Sequence, residues 1–214
     1  ERSLDALMQL QGKKNKKIAT NEKMTRLVWW ADFKNQQLQP VEQTLGKGGW
    51  SKGRNVALKR LREFKVDYMT EQDMEAARSI KVLNQGYYGA VEYVFEWEKL
   101  LPALVGHPLL FLMENPNISV ELIEKKPQLL VEETKEGFEM KFSHEFNGQG
   151  IQLIRETPTR YILLKVSEIH AEINRLLEFG KLKLPAKAKD KVIEAVGNLS
   201  SIVTVQSEGG GEVM

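Results

Sequence analysis

A dense group of cations around one tryptophan is the feature of this sequence best suited to binding a ligand. Lysine and arginine occur seven times between positions 47 and 65, beside a single acid, Glu63. Cations release the counterions condensed on nucleic-acid phosphates, and an aromatic ring stacks on an exposed base. The pattern favours contact with a phosphate backbone; the alternative is a solvated loop beside the outer face of a helix. The candidate nucleic-acid-binding residues are Lys47, Trp50, Lys52, Arg54, Lys59 and Arg60.

The glycine-rich segment 46–53 within this group differs from a nucleotide-binding loop. Such a loop needs the pattern G-x-x-x-x-G-K-[ST] after a buried strand, so that backbone amides and one lysine surround the phosphates. The glycine spacing here is different, and Gly-Lys-Ser/Thr occurs nowhere in the chain. We therefore expect no ATP binding, no cofactor and no catalytic residue in this sequence, and a flexible loop at these glycines.

Ligands for a metal ion are equally sparse. The sequence has no cysteine, and its three histidines, His107, His144 and His170, are far apart and form no H-E-x-x-H motif. The neighbouring acids Glu132 and Glu133 should point to opposite faces of a strand, so they cannot act together as acid and base. We expect no metal site.

Acidic residues are common in the second half of the chain. A water-facing β-sheet surface explains them, and the alternative is a docking surface for a basic partner domain, with Glu121, Glu132 and Glu139 on its outer face. These acids are Glu114, Glu121, Glu124, Glu132, Glu133 and Glu136. Net charge is near zero, with 31 Lys and Arg against 29 Asp and Glu, so it indicates no partner by itself. No apolar run is long enough to span a bilayer, so we expect a cytoplasmic protein without a membrane partner.

The first half of the chain predicts a hairpin followed by helices. Alternation over residues 27–45 predicts two strands, of which the second should lie at a sheet edge or break at Pro40. A short helix is expected over 55–64. Another should begin after Thr70, with Asp73 completing a capping box, and continue through Ala77, Ile80 and Leu83 toward Asn84. Apolar spacing over 87–101 predicts a further helix before Pro102, with its tyrosines packed in a core rather than forming a stacking platform.

From Leu109 onward the apolar period changes to two, which predicts an antiparallel meander. Two helices should follow, one capped by Ser167 with Ile169, Ile173, Leu176 and Leu177 on its apolar side, and one after Pro185. A last strand is expected over 202–205. The whole pattern predicts an α+β fold: an N-terminal hairpin and helices, then an antiparallel β-meander followed by two helices.

This pattern divides the chain into four segments. We expect a flexible basic tail or linker over 1–24, a hairpin plus helical subdomain over 25–107, the meander with its helices over 108–206, and a linker over 207–214 toward a missing motor. The start at Glu1 and the glycine run near the end are typical of a fragment.

Several segments resemble the region upstream of the motor in bacterial, Bacteroides-type Swi/Snf helicases of the DEAD/DEAH-box kind. They are Trp29–Gln43, Leu45–Arg54, Asp67–Asp73 and Leu101–Leu109, and the resemblance covers roughly residues 25–206. It implies a parent protein that hydrolyses ATP with Mg²⁺ in two RecA-like lobes and acts on DNA. The phosphate loop and acidic box of that motor are not in this chain, so no motor residue is carried over.

The expected function is thus a non-catalytic accessory region that docks on the RecA-like lobes of the same protein and contacts DNA phosphates. One alternative is a free-standing nucleic-acid-binding module, and a small hydrolase is the other.

Overall fold

The chain forms two compact units in the computed structural model. The described residues are 23–84, 89–135, 137–146, 148–177, 181–188, 190, 191, 194, 204–207 and 211–212. The first unit contains the chain up to Val94 together with Leu109–Asn117, and the second contains Phe95–Pro108 and the chain from Ile118 onward. The fold is α+β, as the sequence predicts. The sequence predicts a boundary between residues 107 and 108. The two units of the structure do not divide the chain there, because the strand that follows Pro108 belongs to the first unit.

The first unit is built on a five-stranded sheet in which β1 is central. Strands β1 and β2 form the predicted hairpin, β7 joins β1 in parallel, and β3 and β4 pair with β2. A second, two-stranded sheet pairs β5 with β6. The elements are β1 Thr25–Asp32, β2 Gln37–Gly46, β3 Gly49–Trp50, β4 Arg54–Asn55, α1 Leu58–Arg62, α2 Glu71–Ala77, β5 Ile80–Asn84, β6 Val91–Phe95 and β7 Leu110–Leu112.

Alternation in β1 sends Leu27, Trp29 and Ala31 to one face of the sheet, and all three are buried. On that face the Trp29 indole Nε1–H donates to Asp73 Oδ1 of α2 at 2.8 Å. The same Asp73 completes the predicted capping box, since its other oxygen accepts from the Thr70 backbone N–H at 2.9 Å. One buried carboxylate therefore both begins α2 and joins it to the sheet.

Pro40 lies within the β1–β2 ladder opposite Trp29, so β2 is not interrupted there on the β1 side, but the pairing of β4 with the other side of β2 ends at this residue. Its carbonyl accepts from the Val56 N–H at 3.0 Å. In an antiparallel strand the backbone N–H and C=O of one residue point toward the same neighbouring strand. The position where Pro40 lacks an N–H therefore faces β4, at the end of its pairing with β2. The strand loses no hydrogen bond to β1 there.

Two helix predictions in this region were too long. Helix α2 ends at Ala77, and strand β5 begins at Ile80. The prediction failed because, over so few residues, apolar positions three apart do not distinguish a helix from a strand. The segment predicted as one helix over 87–101 divides into β6 and α3, while residues 85–88 lie outside the described part. Tyr93 and Trp97 are half-buried, on different elements.

The second unit contains two sheets. One has the order β11-β12-β8 and the other β13-β10-β9-β14-β15. Its elements are α3 Trp97–Leu104, β8 Glu121–Lys125, β9 Gln128–Thr134, β10 Gly137–Phe142, β11 Gly150–Thr157, β12 Arg160–Val166, α4 Glu168–Leu176, β13 Lys181–Pro185, a 3₁₀ turn Ala186–Ala188, β14 Thr204–Ser207 and β15 Gly211–Glu212.

Two of the predicted antiparallel hairpins are present, β9–β10 and β11–β12. The structure adds two parallel pairs, β8 with β12 and β14 with β9, so the strands do not follow one continuous meander. A parallel partner leaves no local turn signal in the sequence, because a long connection separates the two strands. Buried residues of the two sheets form one core together with Leu177, which follows α4. The other members of this core are Leu129, Met140, Phe142, Phe146, Ile162, Leu164 and Val166.

Helix α4 begins where the sequence predicts. Ser167 precedes it, and its backbone N–H donates to His170 Nδ1 at 2.9 Å. Ile173 packs against the core and Leu177 is buried, but Ile169 is 51% exposed and does not share the apolar side. Strand β14 overlaps the strand predicted near the C-terminus. Residues 1–22 of the tail predicted over 1–24, and most of the predicted last helix, lie outside the described residues.

Among the residues that the structure describes, no helix is long and apolar enough to cross a membrane.

Candidate nucleic-acid interface

The glycine-rich segment is a paired sheet edge, not the flexible loop that its composition predicts. Residues 49–56 run antiparallel to β2, with Ser51 N–H bonded to Thr44 O and Val56 N–H bonded to Pro40 O. Gly53 has φ +102°, and a Cβ there would lie 2.4 Å from Cγ1 of buried Val41. This glycine therefore lets the chain pass closely over β2 between β3 and β4. The cations of this segment have fixed backbone positions.

Trp50, one of the predicted residues, is held by an arginine that sequence reasoning missed. The Arg26 guanidinium lies over the Trp50 ring, 4.0 Å from its centroid, and Arg26 Nε–H donates to Gln43 Oε1 at 2.9 Å. Desolvation by burial lowers the pKa of Arg26, yet an arginine stays protonated at neutral pH. A stacked, hydrogen-bonded guanidinium is a pre-oriented phosphate donor. Arg26 and Trp50 are 24 residues apart, so no local sequence pattern connects them. The pairing of Arg26 with Gln43 in the hairpin places Arg26 near Trp50.

Arg54 has a different environment. Its guanidinium forms an ion pair with Glu42 Oε1 at 2.7 Å, and the Tyr68 hydroxyl donates to the other oxygen of Glu42. The hydrogen bond from Tyr68 is the largest cause that holds the pKa of Glu42 below its usual range, and the hydrogen bond from Arg54 is the next. Desolvation by burial, followed by the contact with Glu42, raises the pKa of Tyr68. Arg60 also lowers the pKa of Glu42 by its charge, so it lies near this carboxylate.

These two arrangements occupy opposite faces of the sheet. Trp50 is opposite Leu45 in the register, and Arg54 is opposite Glu42. Leu45 and Glu42 are three positions apart on one strand, so their side chains point to opposite sides. The structure therefore does not unite the six predicted residues on a single face. It distributes them around one edge of the sheet.

The remaining predicted cations are available for a ligand. Lys47, Lys52, Lys59 and Arg60 are exposed. The ion pairs of the described residues include none of them, although Arg60 lies near the Glu42 carboxylate and Lys59 lies near Glu63. By contrast, Lys65 is paired with Glu63 at 2.6 Å. Exposed unpaired lysines and arginines provide the positive potential that phosphates seek. The edge formed by β3, β4 and α1 thus carries several such charges.

The chain matches no known family model, no curated protein and no solved structure.

Ser51 lies at the centre of a Gly-x-Ser-x-Gly pattern, Gly49–Gly53, which sequence reasoning missed. In hydrolases this pattern forms a sharp turn between a strand and a helix that exposes the serine nucleophile. Here it connects two strands along β2, and Ser51 Oγ accepts from the Thr44 backbone N–H at 3.0 Å. The pattern forms a bulged edge at this position.

The acids of the second unit are mostly paired with cations on neighbouring strands. Glu124 bonds Lys165 at 3.0 Å, Glu132 bonds Lys141 at 3.3 Å, and Glu121 lies 3.8 Å from Arg160. Glu139 was wrongly expected on the outer face, since it is only 8% exposed. Glu136 lies outside the described residues. These cross-strand pairs explain the acids as part of the sheet surface.

The three histidines stay apart. His107 and His170 are buried, and half-buried His144 has its Nδ1 3.0 Å from Ser143 Oγ. Among the described residues, no cluster of three or more His, Asp or Glu side chains could hold a metal ion.

Proposed function

We propose that this chain is a non-catalytic accessory region of a Swi/Snf-type, ATP-dependent DNA translocase, and that its first unit binds nucleic-acid phosphates in the cytoplasm. The observation that carries the binding part is the group of exposed cations, Lys47, Lys52, Lys59 and Arg60, beside the Arg26–Trp50 stack. Lys47 and Lys52 have fixed backbone positions on both sides of β3, while Arg26 is oriented by Gln43. Pre-orientation lowers the conformational entropy lost on binding.

Binding of this kind is set by charge and depends little on sequence. Contacts to phosphate position a protein on a nucleic acid without distinguishing its bases. Each neutralised phosphate contributes about −0.9 to the slope of log affinity against log salt on duplex DNA. We therefore expect weak, sequence-tolerant and strongly salt-dependent association.

The test is fluorescence anisotropy of a labelled DNA duplex titrated with the whole chain at several salt concentrations. The triple variant Lys47→Glu/Lys52→Glu/Lys59→Glu should lose most of its affinity, and its salt slope should fall by about one for each lysine that contacts phosphate. Arg54 is left unchanged, because reversing it would also disturb Glu42 and Tyr68.

A matched control has the same change in net charge at exposed lysines outside this edge: Lys81→Glu, Lys126→Glu and Lys187→Glu. It should retain most of the affinity. Equal losses in the two triple variants, or binding indifferent to salt, would contradict a localised interface.

The accessory part of the proposal is supported by the resemblance of Leu45–Arg54 and Leu101–Leu109 to the region before the motor of Swi/Snf helicases. An accessory region changes a motor only through contacts that differ between the motor's states. The reading frame of the gene tests this part directly, because a phosphate loop and two RecA-like lobes should follow residue 214. A complete reading frame that encodes no motor would instead favour the alternative, a free-standing nucleic-acid-binding module.

A further inference from the structure

A groove of about 430 Å³ lies on the first sheet, on the same face as the Arg26–Trp50 stack. Its walls are Trp30, Gln37, Leu38, Gln39, Asn55 and Met113, all within the first unit. Arg26 and Trp30 are four positions apart on β1, so they share a face at a distance of about 13 Å along the strand. The register places Gln39 opposite Trp30, and Asn55 beside Val41.

The chemistry of this groove combines an aromatic ring with amides. Trp30 is half-buried, and its indole Nε1–H is inaccessible to solvent without a hydrogen-bond partner in the described structure. A buried donor without an acceptor is unusual and destabilising. Neighbouring Trp29 has the opposite arrangement, since its Nε1–H donates to Asp73. The orphaned donor of Trp30 therefore marks a position where an acceptor is missing.

Primary amides supply the remaining polar groups. The Gln39 side-chain N–H donates to the Pro40 carbonyl at 2.9 Å, and its amide oxygen is an acceptor. Gln37 and Asn55 are exposed, and each offers both a donor and an acceptor. Among the described residues that line the groove, none has a charged side chain. Such walls suit a flat, uncharged group that has hydrogen-bond donors and acceptors along its edge.

We propose that this groove holds an unpaired nucleobase of a strand whose phosphates bind the cationic edge. The inference rests on the proposed function, and it adds that the first unit prefers single-stranded to fully paired nucleic acid. Asparagine and glutamine amides pair with base edges, and tryptophan offers a surface for the base plane. A volume of about 430 Å³ also lies within the range of about 300–1,000 Å³ that is usual for sites of small ligands.

The first experiment separates bases from phosphates. The whole chain is titrated with a labelled single-stranded oligonucleotide and with an abasic strand of equal length and charge. The base-bearing strand should bind about fivefold tighter or more, as expected for one stacked base. The variants Gln37→Ala/Asn55→Ala and Trp30→Phe should lose that preference but keep their affinity for the abasic strand. The control Asn117→Ala/Gln149→Ala removes two exposed amides elsewhere and should change neither.

The second experiment needs no phosphate. In the chain labelled with ¹⁵N-tryptophan, millimolar nucleoside should shift the indole resonance of Trp30, which Trp30→Phe identifies by its loss. The resonance of Trp29 is the internal control and should stay in place, because its N–H is already bonded to Asp73.

The outcomes distinguish the two proposals. Equal affinity for base-bearing and abasic strands, with an unmoved Trp30 resonance, overturns the groove proposal while leaving phosphate binding intact. A Trp30 shift with nucleoside but no salt-dependent strand binding supports the groove and contradicts the proposed function. If neither strand binds and no nucleoside shifts Trp30, both proposals fail. An equal shift with a short neutral peptide would show that the groove binds amides generally, and it would overturn the nucleobase assignment.

Discussion

At the scale of single residues, charge in this chain has two separate uses. Arg54 and Tyr68 both bond to Glu42, whose side chain is only 14% exposed, and together they fix the edge strand beside α1. Lys47 and Lys52, a few positions away, have no such partner within the described residues and stay available for an anion. The sequence shows seven similar cations, but the structure divides them into a bonded group and a free group.

Replacing Glu42 with glutamine should lower stability only when Glu42 is ionised. Because its pKa in the folded protein lies below the usual 4.5, the unfolded chain binds the proton first as pH falls. The wild-type advantage is therefore complete above the unfolded pKa and disappears as pH falls through the folded pKa. Near neutral pH we expect a loss of about 1–2 kcal/mol, mainly from the charged hydrogen bond with Tyr68, since exposed Arg54 is well screened.

Urea unfolding of both proteins across this pH range measures the difference. Glu75→Gln is the matched control, because Glu75 pairs with Arg78 where both side chains are largely exposed. It should change stability by little at any pH. A Glu42→Gln penalty that persists unchanged in acid would contradict the role of the carboxylate.

At the scale of secondary-structure elements, the decisive feature is the close path of residues 49–56 along β2. The bulge around Gly53 turns Trp50 toward Arg26 on one face and Arg54 toward Glu42 on the other. Without this bulge, Trp50 and Arg54, which are four positions apart, would point to the same face of the sheet. This short edge therefore shapes both the candidate interface and one wall of the groove.

Gly53→Ala should destabilise the protein, whereas Gly48→Ala should be nearly neutral. A Cβ at Gly53 meets Val41 Cγ1 at 2.4 Å and the Glu42 carbonyl at 3.1 Å, on a backbone with positive φ. A Cβ added at Gly48 would meet no atom within 4 Å, and the φ of Gly48 lies outside the left-handed region. We expect a loss of about 1–3 kcal/mol for the first change. Thermal unfolding of both variants decides; similar melting temperatures would show that the close approach is unimportant.

At the scale of the whole molecule, the chain leaves the first unit after Val94 and returns to it at Leu109. The returning strand β7 pairs in parallel with β1, and its residues Leu110 and Leu112 are buried. Backbone bonds from Trp29 N–H to Leu109 O and from Met113 N–H to Ala31 O, both 2.9 Å, hold it in the sheet. The first unit is therefore incomplete if the chain is cut where the sequence suggests.

A fragment of residues 23–107 should fold poorly, and one of residues 23–117 should fold cooperatively. The shorter fragment loses two buried leucines and the β7 pairing, a cost of several kcal/mol, against a typical total stability of about 5–15 kcal/mol. Amide dispersion in NMR spectra and the sharpness of thermal unfolding compare the two. Equal cooperativity in both fragments would contradict the importance of β7.

The sequence by itself determined the features that depend on neighbouring residues. The β1–β2 hairpin, the Thr70–Asp73 capping box, the Ser167 helix start and the two antiparallel hairpins of the second unit all follow from local alternation, turn residues or caps. Each involves short-range hydrogen bonds, so the necessary residues lie within a few positions of one another. The α+β class follows from the same signals.

Only the tertiary structure decided which distant residues meet. Pairing across the hairpin brought Arg26 to Trp50, and packing of α2 on the sheet brought Asp73 to Trp29. Parallel partners such as β7 with β1 and β8 with β12 have no turn between them that a sequence pattern could show. The orphaned N–H of Trp30 is likewise invisible in the sequence, because Trp29 and Trp30 are adjacent and chemically identical. The alternation of one strand sends them to opposite faces, and what covers each face determines that, among the described residues, one indole finds an acceptor while the other does not.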